Sequence, residues 1–229
     1  MKVAIDSRGR WYYCKGKELH TSDGKVKLKD GEVKSHLGKK FYCFDASFSD
    51  KMNKISRGPA IMIKKDIGSI LAYTGINSKS KILDAGAGCG VLSSYLANIS
   101  DNVTAYERSK EFLKIAKKNY ESLDVKVKLR NKDIYKGITE KKLDLITLDL
   151  LEPWKVLKYA KKSLKIGGYL VIYSPQITQI IRVVKESKGF IVERVIENIE
   201  REWVVESKKV RPKHRMIGHT GFLVFLRKV

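Results

Sequence analysis

Four carboxylates in this 229-residue chain follow apolar runs. Asp84 follows Ile82-Leu83, Glu107 follows Val103-Thr-Ala-Tyr, Asp133 lies just past Val125-Lys-Val-Lys-Leu129, and Asp149 ends Leu143-Asp-Leu-Ile-Thr-Leu. Runs of this kind read as strands, and open parallel sheets bind ligands beyond the carboxyl ends of their strands. Acids gathered at one such edge can accept hydrogen bonds from hydroxyl and amino groups and can face a cation. The alternative is four unrelated salt-bridge acids. Directly after Asp84, three glycines alternate: Gly86, Gly88 and Gly90. At a strand-to-helix turn they let the backbone bend tightly and approach a ligand that a Cβ would push away.

The spacing is Gly-x-Gly-x-Gly, not the Gly-x-Gly-x-x-Gly of dinucleotide enzymes, and no Gly-Lys-Ser/Thr follows to make a P-loop. Glu107 stands where an acid can accept from both ribose hydroxyls. Turn and second-strand acid together resemble the class I S-adenosylmethionine (AdoMet) methyltransferases. A NAD-binding unit, or a glycine turn without a ligand, are the competing readings. On the methyltransferase reading, Asp84 steadies the turn or meets the methionine amine. Gly86, Gly88, Cys89, Gly90, Val91 and Leu92 form the cradle, and Glu107 takes the ribose. Asp133 takes the exocyclic amine of the adenine, whose edge is read by backbone N–H groups near Ile134.

Asp149 is then left for the acceptor, although it can also bind the AdoMet amine. Methyl transfer needs a nucleophile aligned behind the sulfonium carbon, so positioning and electrostatics carry most of the barrier lowering. An adenine N1 already holds a lone pair and becomes cationic on attack. A carboxylate that accepts a bond from N6–H would orient the ring and stabilise that developing charge. The motif here, Asp149-Leu-Leu-Glu-Pro-Trp154, differs from the Asn/Asp-Pro-Pro-Tyr of adenine-N6 enzymes. Nor does a cysteine stand at the fourth or fifth strand end, as cytosine-C5 chemistry would need.

The elements that must place these residues alternate strand and helix from Lys81 onward, which predicts a parallel sheet with helices on both faces. Strands are expected at 81–84, up to Glu107, at 125–129, 143–149 and 169–173. Helices are expected at about 91–99, 109–120, 154–164 and 178–188. Two long β-prone runs, Phe190–Val205 and Gly221–Val229, complete a seven-stranded sheet with an antiparallel hairpin. Upstream, Ile61–Gly75 has helical spacing with Gly75 as its C-terminal cap, and Arg57-Gly-Pro-Ala60 marks a junction. Residues 1–56 read as a small basic β-domain of short strands and hairpin turns, and 57–229 as the catalytic domain.

Composition narrows the partners. There are 47 Lys and Arg against 25 Asp and Glu, a formal charge of +22. Such an imbalance points to a polyanion, with nucleic acid first. Generic thermophile lysine enrichment usually brings matching glutamate. Cys14, Cys43 and Cys89 are far apart and lack metal-ligand spacing, so reduced thiols in a cytoplasmic protein, with no metal, are expected. No run approaches the roughly 20 apolar residues that cross a membrane, so no membrane partner is expected.

Longer motifs sharpen the resemblance: Arg57-Gly-Pro, Asp66-Ile-Gly-Ser-Ile-Leu-Ala-Tyr-Thr-Gly75, Leu148-Asp-Leu-Leu-Glu-Pro-Trp154, Tyr173-Ser-Pro-Gln-Ile-Thr-Gln179 and Arg211-Pro-Lys-His-Arg-Met-Ile-Gly-His-Thr-Gly221. Together they resemble the tRNA T-loop adenosine-N1 methyltransferases, the archaeal and bacterial branch above all. The resemblance implies an α/β, Rossmann-like class I AdoMet-dependent catalytic domain behind a small N-terminal β-domain. It also implies a homotetramer that forms 1-methyladenosine at position 58 of tRNA, with position 57 as a further target in archaeal members. The family's essential aspartate matches Asp149. Cys89 stands where relatives often have Ser, and Gln176 where they often have Asn. Arg57, Gln176, Arg211, Lys213, His214, Arg215 and His219 are the expected tRNA contacts, the cations holding phosphates and the histidines meeting an extruded base. The competing functions are a protein-L-isoaspartyl or small-molecule methyltransferase, and a non-catalytic tRNA-binding subunit.

Overall fold

The computed structural model describes residues 1–58 and 61–229; Pro59 and Ala60 of the junction motif lie outside the described residues. The chain divides into two compact units, Met1–Ile55 and Ser56–Val229.

The first unit is a set of short antiparallel strands. β1 (Lys2–Asp6), β2 (Trp11–Cys14), β5 (Gly31–Lys34) and β6 (Lys40–Asp45) form one sheet in the order β2-β1-β6-β5, and β3 (Glu18–Thr21) pairs with β4 (Gly24–Lys27). Its core is Ala4, Val26, Leu28, Phe41 and Cys43. Such a small core is helped by a polar lock in which Arg10 donates to buried Asp6 at 2.6 Å, while Arg8 and Arg10 both pair with Asp23. A short helix, α1 (Phe48–Met52), follows; its capping box joins Ser47 to Asp50.

The second unit carries a seven-stranded sheet. Its strands are β7 (Lys81–Ala85), β8 (Asn102–Glu107), β9 (Val127–Asn131), β10 (Leu143–Asp149), β11 (Leu164–Ser174), β12 (Phe190–Glu197) and β15 (Phe222–Lys228), in the order β12-β15-β11-β10-β7-β8-β9. Six strands run in one direction, β12 among them, and β15 runs antiparallel to both its neighbours, β11 and β12. Strand order reverses between β7 and β10, so a crevice opens there at the carboxyl ends. The helices are α2 (Lys64–Thr74), α3 (Val91–Ala97), α4 (Lys110–Leu123), α5 (Leu157–Ser163) and α6 (Ile177–Glu186). Gly75 ends α2 in the left-handed conformation, and the Ser109 side chain caps α4. The main core gathers Leu83, Tyr106, Ile146, Leu148, Leu170, Ile172 and Val224 from the strands, with Val156, Ala160 and Val183 from the covering helices. Among the described residues, no helix is long and apolar enough to cross a membrane.

Two expectations need correction. The run Phe190–Val205 is not one strand: β12 stops at Glu197, and β13 (Trp203–Glu206) forms a separate ribbon with β14 (Lys209–Pro212). The break has a tertiary cause. Asn198 donates to buried Asp66 of α2 at 3.0 Å and bonds Ser69 at 3.2 Å, which turns the chain off the sheet edge. The segment 154–164 begins with a 3-10 turn (Pro153–Val156), and Leu164 already belongs to β11.

Candidate active site

Asp84 is the penultimate residue of β7; an acid buried on a central strand survives only with a partner, and Thr147 of the adjacent β10 supplies one. Its hydroxyl donates to Asp84 Oδ1 at 2.7 Å. The other oxygen, Oδ2, is buried and has no hydrogen-bond partner among the described residues. Burial pushes the Asp84 carboxyl up to about 7, and the negative charges of Asp149 and Glu107 add to the rise while the Thr147 and Ser93 hydroxyls oppose it.

The three glycines have different reasons to be glycine. Gly86 has φ +79°, and a Cβ there would run into the Asp149 carbonyl oxygen, so the turn and the end of β10 nest together. Gly88, with φ +54°, faces open space: it leaves room that a side chain would fill. Gly90, with φ +85°, has its Cα against the Tyr120 ring, which a Cβ would meet at 2.6 Å. It starts α3 and lines neither cavity described below.

Glu107, at the end of β8, accepts the Gly88 N–H at 2.8 Å on one oxygen and the Ser109 N–H at 2.7 Å on the other. Two backbone donors therefore fix the carboxylate and tie it to the glycine turn. Each oxygen still has a lone pair for a further donor. Asp133 accepts the Tyr135 N–H at 3.0 Å and opens a 3-10 turn over Ile134–Lys136.

These residues surround a cavity of about 360 Å³, lined by Gly86, Gly88, Tyr106, Glu107, Phe112, Lys132, Asp133, Ile134, Tyr135, Asp149, Leu150 and Leu151, with Arg108 and Ser109. A smaller recess beside it is lined by Asp84, Cys89, Val91, Leu92, Ile61, Met62 and again Gly86, Gly88 and Asp149. Asp149 stands at the junction of the two. Its carboxyl is open to the cleft, yet the surrounding protein removes enough water to push it up to about 6. In register across β11 lies Tyr173, whose hydroxyl donates to the Thr220 carbonyl at 2.6 Å.

The expected tRNA contacts do not form one cluster. Arg57 is exposed, next to Gly58, which packs against Phe112 and Cys89. Gln176 is exposed at the start of α6. His219 stands beside it: one ring nitrogen pairs with Glu197 and the other meets the Pro175 carbonyl at 2.8 Å. The Glu197 carboxylate pushes its pKa up, with the Pro175 carbonyl adding. Both nitrogens are thus engaged. Arg211, Lys213, His214 and Arg215 lie apart, on β14 and the loop after it. Lys213 pairs with Glu202, and Lys213 and Arg215 line a separate cavity of about 320 Å³ with Ile63, Lys65, Met216 and Ile217.

Sequence reasoning missed Tyr106, Phe112, Lys132 and Tyr135 in the main cavity. An aromatic near two of the four strand-end acids was the available signal: Tyr106 precedes Glu107, and Tyr135 follows Asp133 by two. Also missed was Asp66, fully buried in α2. It accepts from Thr220 at 2.8 Å, Asn198 at 3.0 Å and Lys65 at 3.0 Å, and so gathers both ends of the excursion between β12 and β15.

Comparison with known proteins adds the family. The profile of the tRNA methyltransferase complex GCD14 subunit matches residues 54–214. The tRNA (adenine(57)-N(1)/adenine(58)-N(1))-methyltransferase TrmI of Methanocaldococcus jannaschii is 34% identical, over 99% of this chain and 94% of its own. A tRNA (adenine(58)-N(1))-methyltransferase TrmI of Thermus thermophilus is 31% identical, over 97% and 94%. Among solved structures, an AdoMet-dependent O-methyltransferase from Thermotoga maritima superposes with a TM-score of 0.86 at 26% identity, covering 100% of this chain and 92% of that one. The tRNA (m1A58) methyltransferase TrmI of Aquifex aeolicus gives 0.85 at 24% identity, covering 100% and 96%. The chain belongs to the GCD14 tRNA methyltransferase family.

Proposed function

We propose that this protein is an AdoMet-dependent tRNA (adenine-N1) methyltransferase that forms 1-methyladenosine at position 58 of the T loop, and at 57 as well. The observation that carries the reading is Asp149, a strand-end carboxylate that opens onto the same cavity as the glycine turn. One relative named for action at 57 and 58, and another named for action at 58, extend along nearly the whole chain.

The cavity fits the cofactor on its own chemistry. The unpartnered Asp84 Oδ2 calls for a cationic donor, which an ammonium group supplies. Gly88 leaves the open backbone a large ligand needs. Glu107 would accept from the ribose hydroxyls, and Asp133 from the adenine amine, with Ile134 and Phe112 as apolar walls. Cys89, Val91 and Leu92 complete the recess. Gly90 contributes the helix start and not a contact. When bound, AdoMet supplies an electrophilic methyl group on a sulfonium.

Asp149 does the positioning. Its carboxylate accepts a bond from the acceptor's N6–H, which leaves the N1 lone pair free to form the new N–C bond. That bond would form as the sulfonium S–C bond breaks to leave a neutral thioether, and the nearby carboxylate would stabilise the positive charge gained by the base. No proton leaves N1 in this step. Arg57, Gln176, Arg211, Lys213, His214, Arg215 and His219 serve the tRNA side, largely through its phosphates. Residues 1–56 act as an accessory basic domain and 57–229 as the catalytic one, in a cytoplasmic homotetramer of archaeal type.

Nucleoside mass spectrometry of unmodified tRNA, incubated with AdoMet and either wild type or Asp149→Ala, tests this. 1-Methyladenosine that appears with wild type and collapses in the variant supports the reading, and fragment mapping assigns 57 and 58. If AdoMet binds but no 1-methyladenosine forms on any tRNA, the acceptor is wrong.

A further inference from the structure

β10 delivers Asp149 as its last residue, and Leu150 to Glu152 then leave the sheet before the 3-10 turn begins at Pro153. A carboxylate at a strand terminus is only as fixed as the segment beyond it. Two side chains from other elements hold that segment. Gln179, buried in the first turn of α6, donates Nε2–H to the Leu151 carbonyl at 2.8 Å. Its Oε1 accepts the Gln176 N–H at 3.3 Å. From the other side, the Tyr135 phenol oxygen accepts the Glu152 N–H at 3.0 Å.

Packing alone does not explain a glutamine here. Its neighbours Ile180 and Val183 face the core, and a buried amide is costly unless both of its ends are bonded. Glutamine supplies one donor and one acceptor at the same reach; glutamate at neutral pH supplies only acceptors, and methionine neither strong group. Position 179 therefore has a specific demand: hold the start of α6 with one atom and the segment after Asp149 with the other.

We propose that Gln179 and Tyr135 are positioning residues for methyl transfer, clamping Leu150–Glu152 from two sides so that Asp149 stays aimed at the acceptor base. The proposal rests on Asp149 serving the acceptor as proposed above. Gln179 lines neither cavity at the site and reaches the cofactor side only through Leu151, so the larger part of its effect falls on the chemical step. A reacting group misplaced by about 1 Å loses roughly a hundredfold in rate.

The test compares wild type, Gln179→Glu, Gln179→Met and Tyr135→Phe in the full chain. It measures single-turnover 1-methyladenosine formation on unmodified tRNA, KM for tRNA, AdoMet affinity by calorimetry, and melting temperature. Gln179→Glu keeps the acceptor for the Gln176 N–H but loses the donor to Leu151. Gln179→Met keeps the volume and loses both. Both Gln179 variants are expected to lose roughly ten- to a hundredfold in rate, with KM and AdoMet affinity within about threefold. Tyr135→Phe is expected to lose roughly fivefold, as one hydrogen bond goes. If Gln179→Glu keeps the wild-type rate, the residue is only a helix cap and the clamp is overturned. Parallel loss of rate, affinity and melting temperature in both Gln179 variants overturns it in favour of a structural role. A wild-type rate in Tyr135→Phe removes the second half of the clamp. A wild type that forms no 1-methyladenosine instead removes the functional reading, and the clamp falls with it.

Discussion

The crevice at the glycine turn and the excursion between β12 and β15 are opposite kinds of surface. In the crevice, acids from four strand ends converge on two adjoining cavities. Glu107 is fixed by two backbone donors, while Asp84 keeps one oxygen buried and unpartnered. The excursion is a thin ribbon whose cations and apolar side chains, Trp203, Val205, Val210 and Ile217 among them, stand exposed. One of its cations, Lys213, is paired within it, with Glu202. A site with an unmet internal demand selects one ligand. An exposed basic surface binds through many weak, salt-screened contacts. Cofactor recognition and tRNA recognition should therefore be separable by mutation.

The largest effect expected is on the acid side. Asp149→Ala should cut the methylation rate by about a thousandfold and leave AdoMet affinity within about threefold; an equal loss of affinity would place Asp149 on the cofactor. Asp84→Asn should weaken AdoMet by about a hundredfold, since truncating a buried ion-pair partner is costly. The same change should raise the melting temperature of the ligand-free protein by a few degrees. The folded-state value of Asp84, about 7, lies above its ordinary 3.8, so ionising it destabilises the fold as pH rises from 4 through 7. By the same linkage, AdoMet affinity should fall by up to about tenfold per pH unit below 7, with proton release seen by calorimetry at pH 6. The rate at saturating cofactor should fall only as pH drops through about 6, where Asp149 protonates.

On the basic side the effects shrink. Lys213→Ala combined with Arg215→Ala should weaken tRNA binding by about tenfold and flatten the log affinity against log salt slope by roughly two. AdoMet affinity should not move; if it does, the two regions are coupled. His219→Ala should change tRNA affinity by less than about threefold, because both ring nitrogens are already engaged by Glu197 and Pro175. A larger loss would mean that the ring leaves those partners for the RNA.

What could be read from the chain beforehand followed the same divide. Asp84, Glu107 and Asp149 were legible because a strand of five to seven residues and the acid that ends it are contiguous in sequence, and the sheet rule then brings them together. Gly90 was in the right motif for another reason: its neighbour, Tyr120, lies in α4, and no local pattern reports that a ring will pack there. The end of β12 was illegible for the same cause. The β-prone run continues from Phe190 to Val205, and the bonds of Asn198 to Asp66, 132 positions away, and to Ser69 bend the chain out of the sheet. The roles of Tyr135 and Gln179 also depend on backbone groups outside their own elements.

Asp66 carries one more consequence. It holds Asn198 at one end of the ribbon and Thr220 at the other, and both bonds run to α2 instead of to the strands that bear the acids. The ribbon is therefore a cassette with a clasp. Residues 199 to 218 can be lengthened, shortened or exchanged for another hairpin, provided the asparagine, the threonine and the aspartate that joins them are kept. The catalytic edge would register such an exchange only as a change of customer.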